Sequence, residues 1–371
     1  MDELISPAGV DTLRESLKSV VRGLDTPQLD RVRRSLDGLR LRDRVNLVRD
    51  AALADVPAGF PAAEGVVDGL LRFPQTTGWI IWPLSEFVTA RALEDGSESA
   101  FDAAMSLLAR LTTRLSSEFA IRDMLIARPE RALAHVGSWL GHENEHVRRL
   151  ASEGTRSHLP WAKKVPWLLE HPDATGPIID ALYRDPAEYV RRSVANHLND
   201  LSRLSPDVAT GRAQAWAVHP DEHTARVIRH GMRTLVKRAD PTALALVGYS
   251  GDRLRVERPQ LDATVVPHEG SVTFRAEVTN EGDADAVVAI DYTIGFRRAR
   301  GSLSPKTFKL ASRTLAPGAS VTVTKTHSFR RITTRSHHPG RHVVTVQANG
   351  VRSPEAEFIL ESDDRSDSTP A

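Results

Sequence analysis

Arginines and carboxylates recur at helical spacing through the middle of the chain. Arg149, Glu153 and Arg156 are four and three residues apart, and Arg192, Asn196 and Asp200 follow one another at steps of four. Each set occupies one face if its segment is helical. A solvated, salt-bridged surface would account for the pattern. The chemical reading starts from the effect of a carboxylate on a basic face: it repels phosphate and weakens nucleic-acid binding unless it serves another task there. Chemistry at a cationic centre is one such task. Histidine offers a competing chemistry, because nine of the 14 lie within 114–240 and His142-Glu143-Asn144-Glu145-His146 spells the His-Glu-x-x-His pattern of zinc hydrolases. Gly141 and the acidic cluster make that stretch a loop and helix start, and no third ligand follows at a usual spacing, so no metal or other cofactor is expected. The chain has no cysteine, which excludes disulfides, thiolate zinc sites, iron–sulfur clusters and a cysteine nucleophile.

The elements that must position these residues change character near residue 250. Before it, apolar residues recur three and four apart, as in Val190, Val194, Leu198 and Leu201, which predicts amphipathic helices. A repeat runs through them. Aligning Val147, Val190 and Val227 brings Arg149, Arg192 and Arg229 into register two places later, with spacings of 43 and 37 residues. That period, punctuated by Pro129, Pro166, Pro172, Pro186 and Pro220, predicts stacked helix pairs in a HEAT-like α-solenoid. Two residues subtend about 200° on a helix, so the arginines point away from the core that the valines must face.

After residue 250, β-branched alternation takes over in SVTFRAEV, DAVVAIDYTI, ASVTVTKTHSF and RHVVTVQANG. Six or seven short strands are expected, making a small immunoglobulin-like β-sandwich. The expected domains are therefore residues 1–250, 251–351, and an acidic, disordered tail at 352–371. Net charge is +1 over 371 residues, yet 297–341 carries 11 basic residues and no acidic one. A run of one sign points toward a ligand with many phosphates. No stretch approaches the roughly 20 apolar residues of a membrane span, and the start MDELISPAGVDTL lacks the order of a signal peptide. A cytoplasmic protein without membrane contact is expected. Arginine preference over lysine and abundant alanine suggest a GC-rich bacterial genome.

At this point the residues resemble a family. SSEFAIR (116–122), NEHVRRLASEGTRSHLPWA (144–162), YVRRSVANHLNDL (189–201) and HTARVIRHGMRTLVKRADPTALALVGY (223–249) are similar to the AlkC branch of the AlkC/AlkD-type DNA alkylation repair glycosylases. GSLSPKTFKL (301–310), LAPGASVTVTKTHSFRRITTR (315–335) and HPGRH (338–342) resemble the immunoglobulin-like domain of many AlkC members. Residues 1–100 match loosely and receive no functional detail. The resemblance implies a repeat superhelix that wraps double-stranded DNA and hydrolyses the N-glycosidic bond of cationic N3-alkylated bases, chiefly 3-methylcytosine and 3-methyladenine. The product is an abasic site, and the lesion stays near the base stack instead of being flipped out. It also implies a monofunctional enzyme without cofactor, acting as a monomer.

By the same resemblance Glu118 and Glu153 are the catalytic carboxylates, Trp161 packs against the deoxyribose, and Asp200 is a third acid. Physical chemistry agrees with that set, since an N3-alkylated base is already a good leaving group and the remaining tasks are to stabilise an oxocarbenium-like sugar and deliver water. Plainer roles remain open: Glu118 as a helix-start acid after Ser116 and Ser117, Trp161 as a core aromatic at a helix start. Arg149, Arg192 and Arg229 are expected to contact phosphates, as is Arg156 unless it orients Glu153. Lys306, Lys309, Arg330, Arg331 and Arg335, in or beside expected loops of the sandwich, complete the DNA contacts. The alternative function is a non-catalytic HEAT-repeat DNA-binding or scaffold protein.

Overall fold

Ser6 and Ser97 accept the Gly9 and Ala100 amides at the starts of two helices, and prolines occupy the first turns of several others, where a missing N–H costs nothing. The computed structural model describes residues 4–249, 253–331 and 337–362. It divides into two compact units, residues 1–231 and 232–371. The first is helical throughout: α1 (Pro7–Val20), α2 (Pro27–Arg33), α3 (Leu41–Asp55), α4 (Phe60–Leu70), a 3-10 turn (Gly78–Ile80), α5 (Ile81–Asp95), α6 (Glu98–Leu111), α7 (Ile121–Ala127), α8 (Pro129–Ser138), α9 (Glu145–Gly154), α10 (Pro166–Glu170), α11 (Gly176–Leu182), α12 (Glu188–Leu204), α13 (Pro206–Val218) and α14 (Thr224–Gly231).

The repeat read from the sequence maps onto α9, α12 and α14, with α12 packed between the other two. Val147, Val190 and Val227 are buried, as are Leu150, Val194 and Leu198, each worth roughly 1.5–3 kcal/mol relative to exposure. Close approach depends on glycine. A Cβ on Gly154 would fall 2.7 Å from Ile121 of α7, and one on Gly231 would fall 2.6 Å from Leu198 of α12.

The second unit begins with α15 (Arg233–Lys237) and α16 (Pro241–Leu246), placed before the boundary expected at 250. Ala239 and Leu244 lie close to Gly350 of the β part, which is why this helical stretch groups with it. The strands are β1 (Leu254–Val256), β2 (Gln260–Leu261), β3 (Val265–Val266), β4 (Ser271–Asn280), β5 (Ala286–Arg297), β6 (Leu303–Leu315), β7 (Ser320–Ser328), β8 (Gly340–Ala348), β9 (Val351–Arg352) and β10 (Ala356–Leu360). One sheet has the order β1-β4-β2 with β7 also paired to β4; the other runs β3-β10-β8-β5-β6 with β9 on β8. Inward residues of both sheets, Phe274, Tyr292, Val344 and Phe358 among them, form the core of an immunoglobulin-like sandwich. The tail expected from residue 352 is corrected: β10 pairs with both β8 and β3, and Ala356, Phe358 and Leu360 alternate inward.

Two histidines couple fold and pH. His197 of α12 is enclosed, with Nδ1 2.9 Å from the Ser152 carbonyl and Nε2 2.9 Å from the Thr175 hydroxyl; burial, then Arg156, pushes its pKa down to about 3. Burial likewise lowers His342, stacked on Phe358 in the sandwich. The folded chain therefore favours neutral rings. Their contribution is whole above the ordinary value near 6.5, and is lost as pH falls from there towards the folded pKa, because the unfolded chain then takes up protons that the folded one refuses. Urea midpoints measured between pH 7 and 5 should fall, and His197→Gln should flatten the slope of the helical unit by up to about 1.4 kcal/mol per pH unit.

Candidate active site

Three carboxylates from three elements converge through two guanidiniums. Glu118 lies in the turn before α7, Glu153 in the last turn of α9, and Asp200 on α12. Arg149, one helical turn before Glu153, pairs through Nη1 with Glu118 Oε2 and through Nη2 with Glu153 Oε1 at 3.5 Å. Arg156, just past α9, donates from Nη1 to Glu153 Oε1 at 2.6 Å and from Nε to Asp200 Oδ2 at 2.7 Å. The result is one chain of alternating charge: Glu118, Arg149, Glu153, Arg156, Asp200. These side chains are 15, 15, 7, 8 and 4% exposed in that order, which removes the solvated-surface reading.

Hydroxyls complete the network. Ser193 Oγ donates to Glu153 Oε2 at 2.7 Å, and Ser116 Oγ donates to Glu118 Oε2 at 2.9 Å. Both oxygens of Glu153 are thus engaged, whereas Oε1 of Glu118 makes no hydrogen bond among the described residues. Burial would raise the pKa of Glu153, but Arg149, Arg156 and the Ser193 hydroxyl outweigh it and hold the group below its ordinary value. Burial works against the charged form of Arg149 and Arg156 too, and the facing carboxylates raise both. Glu153 is thereby held ionised between two charged guanidiniums.

Trp161 follows a different logic. Pro160 and Trp161 occupy the middle of a turn closed by the Ala162 amide on the Leu159 carbonyl at 3.3 Å, and Trp161 has φ +63°. Proline followed by positive φ is the pattern of a type II turn, where glycine is the usual third residue. Here an indole stands in its place, 74% exposed, and α10 begins only at Pro166. A core aromatic at a helix start is therefore excluded. Arg122, itself buried, fixes the flanks: it donates to the Gly154 carbonyl at 3.0 Å, the Arg156 carbonyl at 2.6 Å and the Lys163 carbonyl at 2.9 Å. Burial and the neighbouring Arg156 push its pKa down to about 10. The loop carrying Trp161 is thereby tied to the end of the helix carrying Glu153.

The expected DNA contacts separate into groups. Arg156 is a correction: its guanidinium is covered and held by two carboxylates, the orienting role left open by the sequence. Arg149 sits in the same network, with its guanidinium 5.2 Å from the Tyr189 ring centroid. Arg192 and Arg229 are exposed. Arg192 lines a cavity of about 280 Å³ between α12 and α14 together with Glu188, His223, Arg226 and His230. Glu188 Oε1 lies 3.4 Å from Arg192 and 2.9 Å from Arg226. Lys306 and Lys309 lie within β6, an edge strand, and not in loops. Arg330 and Arg331 follow β7, exposed, and Arg335 lies outside the described residues. His142 precedes α9 and His146 sits in its first turn, where the Asn144 side chain accepts the His146 amide at 2.8 Å; the two imidazoles do not share a helix face.

Comparison with known proteins adds a second line. The family model described as the C-terminal Ig-like domain of the uncharacterised protein YhaZ matches residues 255–362. The uncharacterized protein YhaZ of Bacillus subtilis (strain 168) is 34% identical over 332 residues, covering 89% of this chain and 88% of that protein. The solved structure of Pseudomonas fluorescens alkylpurine DNA glycosylase AlkC, bound to DNA containing an abasic site analog, is 30% identical, with TM-score 0.80 over 97% of this chain and 99% of that one. The chain belongs to the AlkC-type family.

Within this AlkC-type chain, Arg122, Tyr189, Ser193 and Arg226 were not singled out from sequence. Ser193 and Tyr189 had a usable signal, since both lie in the YVRRSVANHLNDL segment beside Arg192; Arg122 had none, because its partners are carbonyls from 32 to 41 residues away. The network makes a direct stability prediction. Arg156→Met leaves Glu153 and Asp200 buried without the cation between them, and chemical denaturation should report a loss of about 3–5 kcal/mol.

Proposed function

We propose that this protein is a monofunctional DNA glycosylase that hydrolyses the N-glycosidic bond of cationic N3-alkylated bases, 3-methylcytosine and 3-methyladenine, and leaves an abasic site. The observation that carries this reading is the buried Glu118–Arg149–Glu153–Arg156–Asp200 chain of ion pairs in an AlkC-type fold. Likeness over nearly the whole length to an alkylpurine DNA glycosylase bound to DNA supports it.

The chemistry assigns the two glutamates different tasks. As the bond from C1′ to the base nitrogen breaks, its electron pair stays with the base, which departs neutral because it entered as a cation. The sugar becomes oxocarbenium-like, and Glu153, fixed by hydrogen bonds from Arg156 and Ser193 and an ion pair with Arg149, stabilises it electrostatically. Glu118, with Oε1 unengaged, orients a water and takes its proton while the oxygen bonds to C1′. Trp161 offers an electron-rich face to the sugar as it gains charge. Asp200 acts through Arg156. No base flipping is needed, since recognition comes from the charge and labile bond of the lesion. A lyase would need an amine nucleophile, and no lysine occupies the place of these carboxylates.

The partner is double-stranded DNA. Arg192 and Arg229 meet its phosphates on the helical unit, with Arg226 added by the cavity between α12 and α14. On the sandwich, Arg330, Arg331 and Arg335 do so, with Lys306 and Lys309 on β6. The protein acts as a monomer without cofactor in the bacterial cytoplasm, nucleoid-associated when bound. Among the described residues no helix is long and apolar enough to cross a membrane.

Release of free base from methylated duplex DNA tests the catalytic reading: Glu118→Gln and Glu153→Gln should each lower it at least about 100-fold, the scale of losing one general base or electrostatic stabiliser, with DNA affinity kept. Undiminished release would leave a DNA-binding scaffold. The sandwich is tested separately by salt dependence. Arg330→Ser with Arg331→Ser should reduce the slope of log affinity against log salt by about 0.9 for each phosphate no longer neutralised; an unchanged slope would remove these residues from the interface.

A further inference from the structure

Residues 116–119 turn their side chains alternately to two sides. Ser116 and Glu118 face Arg149. Ser117 and Phe119 face α5 instead. The Ser117 hydroxyl lies 3.1 Å from that of Ser85, and the Phe119 ring stacks on Trp82 with centroids 4.1 Å apart and planes 18° from parallel. Glu118 is thus bracketed in sequence by two residues clamped to α5.

Trp82 is itself fixed by ions. Its Nε1 donates to Glu86 Oε1 at 2.9 Å. Glu86 is 3% exposed and also receives Arg42 at 2.6 Å on Oε1 and Arg49 at 3.2 Å on Oε2, both from α3. The Arg42 guanidinium lies 5.4 Å from the Trp82 ring centroid. An indole held at its N–H cannot rotate about its stem without breaking a buried hydrogen bond to a charged group, which is costly. The ring face offered to Phe119 is therefore set from α3 and α5.

We propose that Trp82, locked by Glu86, Arg42 and Arg49, is a positioning residue that fixes Glu118 for the reaction, and that this is a function of α3 and α5. The inference rests on the glycosylase reading and adds to it a role for a part of the chain whose sequence carries no functional motif. Among the described residues Trp82 makes no hydrogen bond to the Glu118 carboxylate and no cation–π contact with Arg149. It acts through Phe119, by holding the backbone of the turn from which Glu118 projects. Displacing a reacting group by about 1 Å can cost a hundredfold in rate.

Single-turnover release of free base from methylated duplex, DNA affinity and thermal melting are measured on the full chain. Trp82→Leu should lower the single-turnover rate about 10- to 100-fold with affinity for the same duplex unchanged. Trp82→Phe keeps an aromatic face but loses the N–H that Glu86 holds, and should leave the rate between those of Trp82→Leu and wild type. Should Trp82→Leu melt below the assay temperature, Glu86→Gln decides: it keeps the shape but weakens the hold of both arginines, and should slow release severalfold at unchanged affinity. A wild-type rate in the folded Trp82→Leu or Glu86→Gln protein, or a rate loss matched by an equal loss of affinity, overturns the proposal. Glu118→Gln is run alongside. If that variant is fully active, the glycosylase reading has failed; if it is inactive while Trp82→Leu is not, the positioning role alone has failed.

Discussion

Burying a carboxylate, Glu153, without neutralising it is the constraint on which the rest of the helical unit depends. An acid removed from water ordinarily protonates, since the low-dielectric interior penalises the charged form. Here Arg149 and Arg156 stand between three acids, and they hold Glu153 below its ordinary pKa despite its burial. Each guanidinium bridges two carboxylates, so neither can be removed without stranding a charge. The helices must then approach closely enough for the bridges to form. Gly154 lets α9 lie against Ile121, and Ser193 and Ser152, 3.0 Å apart across α9 and α12, keep that interface narrow.

A second constraint is that the same region must present a side chain to solvent while holding its backbone still. Trp161 is exposed and sits at positive φ, a conformation that costs a non-glycine residue on the order of 1–3 kcal/mol. Nothing local relieves that strain. It is sustained by Arg122, whose N–H groups take carbonyls on both sides of the turn, and by Lys163, which donates to Asp123 at 2.7 Å. A buried arginine facing carbonyl oxygens is a poor stabiliser by itself, but it fixes geometry at three points.

Regular periodicity was legible in the sequence, and contacts between distant segments were not. The helical repeat, the β-sandwich and the spacing of Arg149, Glu153 and Arg156 could all be read because they are written at periods of 3.6, 2 and about 40 residues. β6 escaped because an edge strand is half solvated: Lys306, Lys309 and Arg313 interrupt its alternation, and Pro305 is tolerated there. β10 escaped because its apolar alternation is short and lies among acids. The Trp82–Phe119 stack joins positions 37 residues apart on unlike elements, and no local pattern marks it. Arg149 and Arg192, equivalent in the repeat, ended differently for the same reason: Arg149 meets Glu118, which comes from outside the repeat, whereas Arg192 meets the exposed Glu188 on its own helix.

The charge state of the site also bears on selectivity. A neutral base leaves as an anion unless an acid protonates it, and an acid suited to that task has its pKa raised towards neutrality by burial. Glu153 has moved the other way, because two guanidiniums oppose the burial that would raise it. On the proposed reading this is an advantage: a carboxylate that stays ionised favours the positive sugar throughout the reaction and has no proton to give. Discrimination then follows from the leaving group, since a base that is already cationic departs without help while an uncharged one stays bonded. On the proposed reading, such a site chooses its lesion without contacts to the base edge. Arg149 and Arg156 are both needed for the ionised state of Glu153, since each opposes the burial that would raise its pKa.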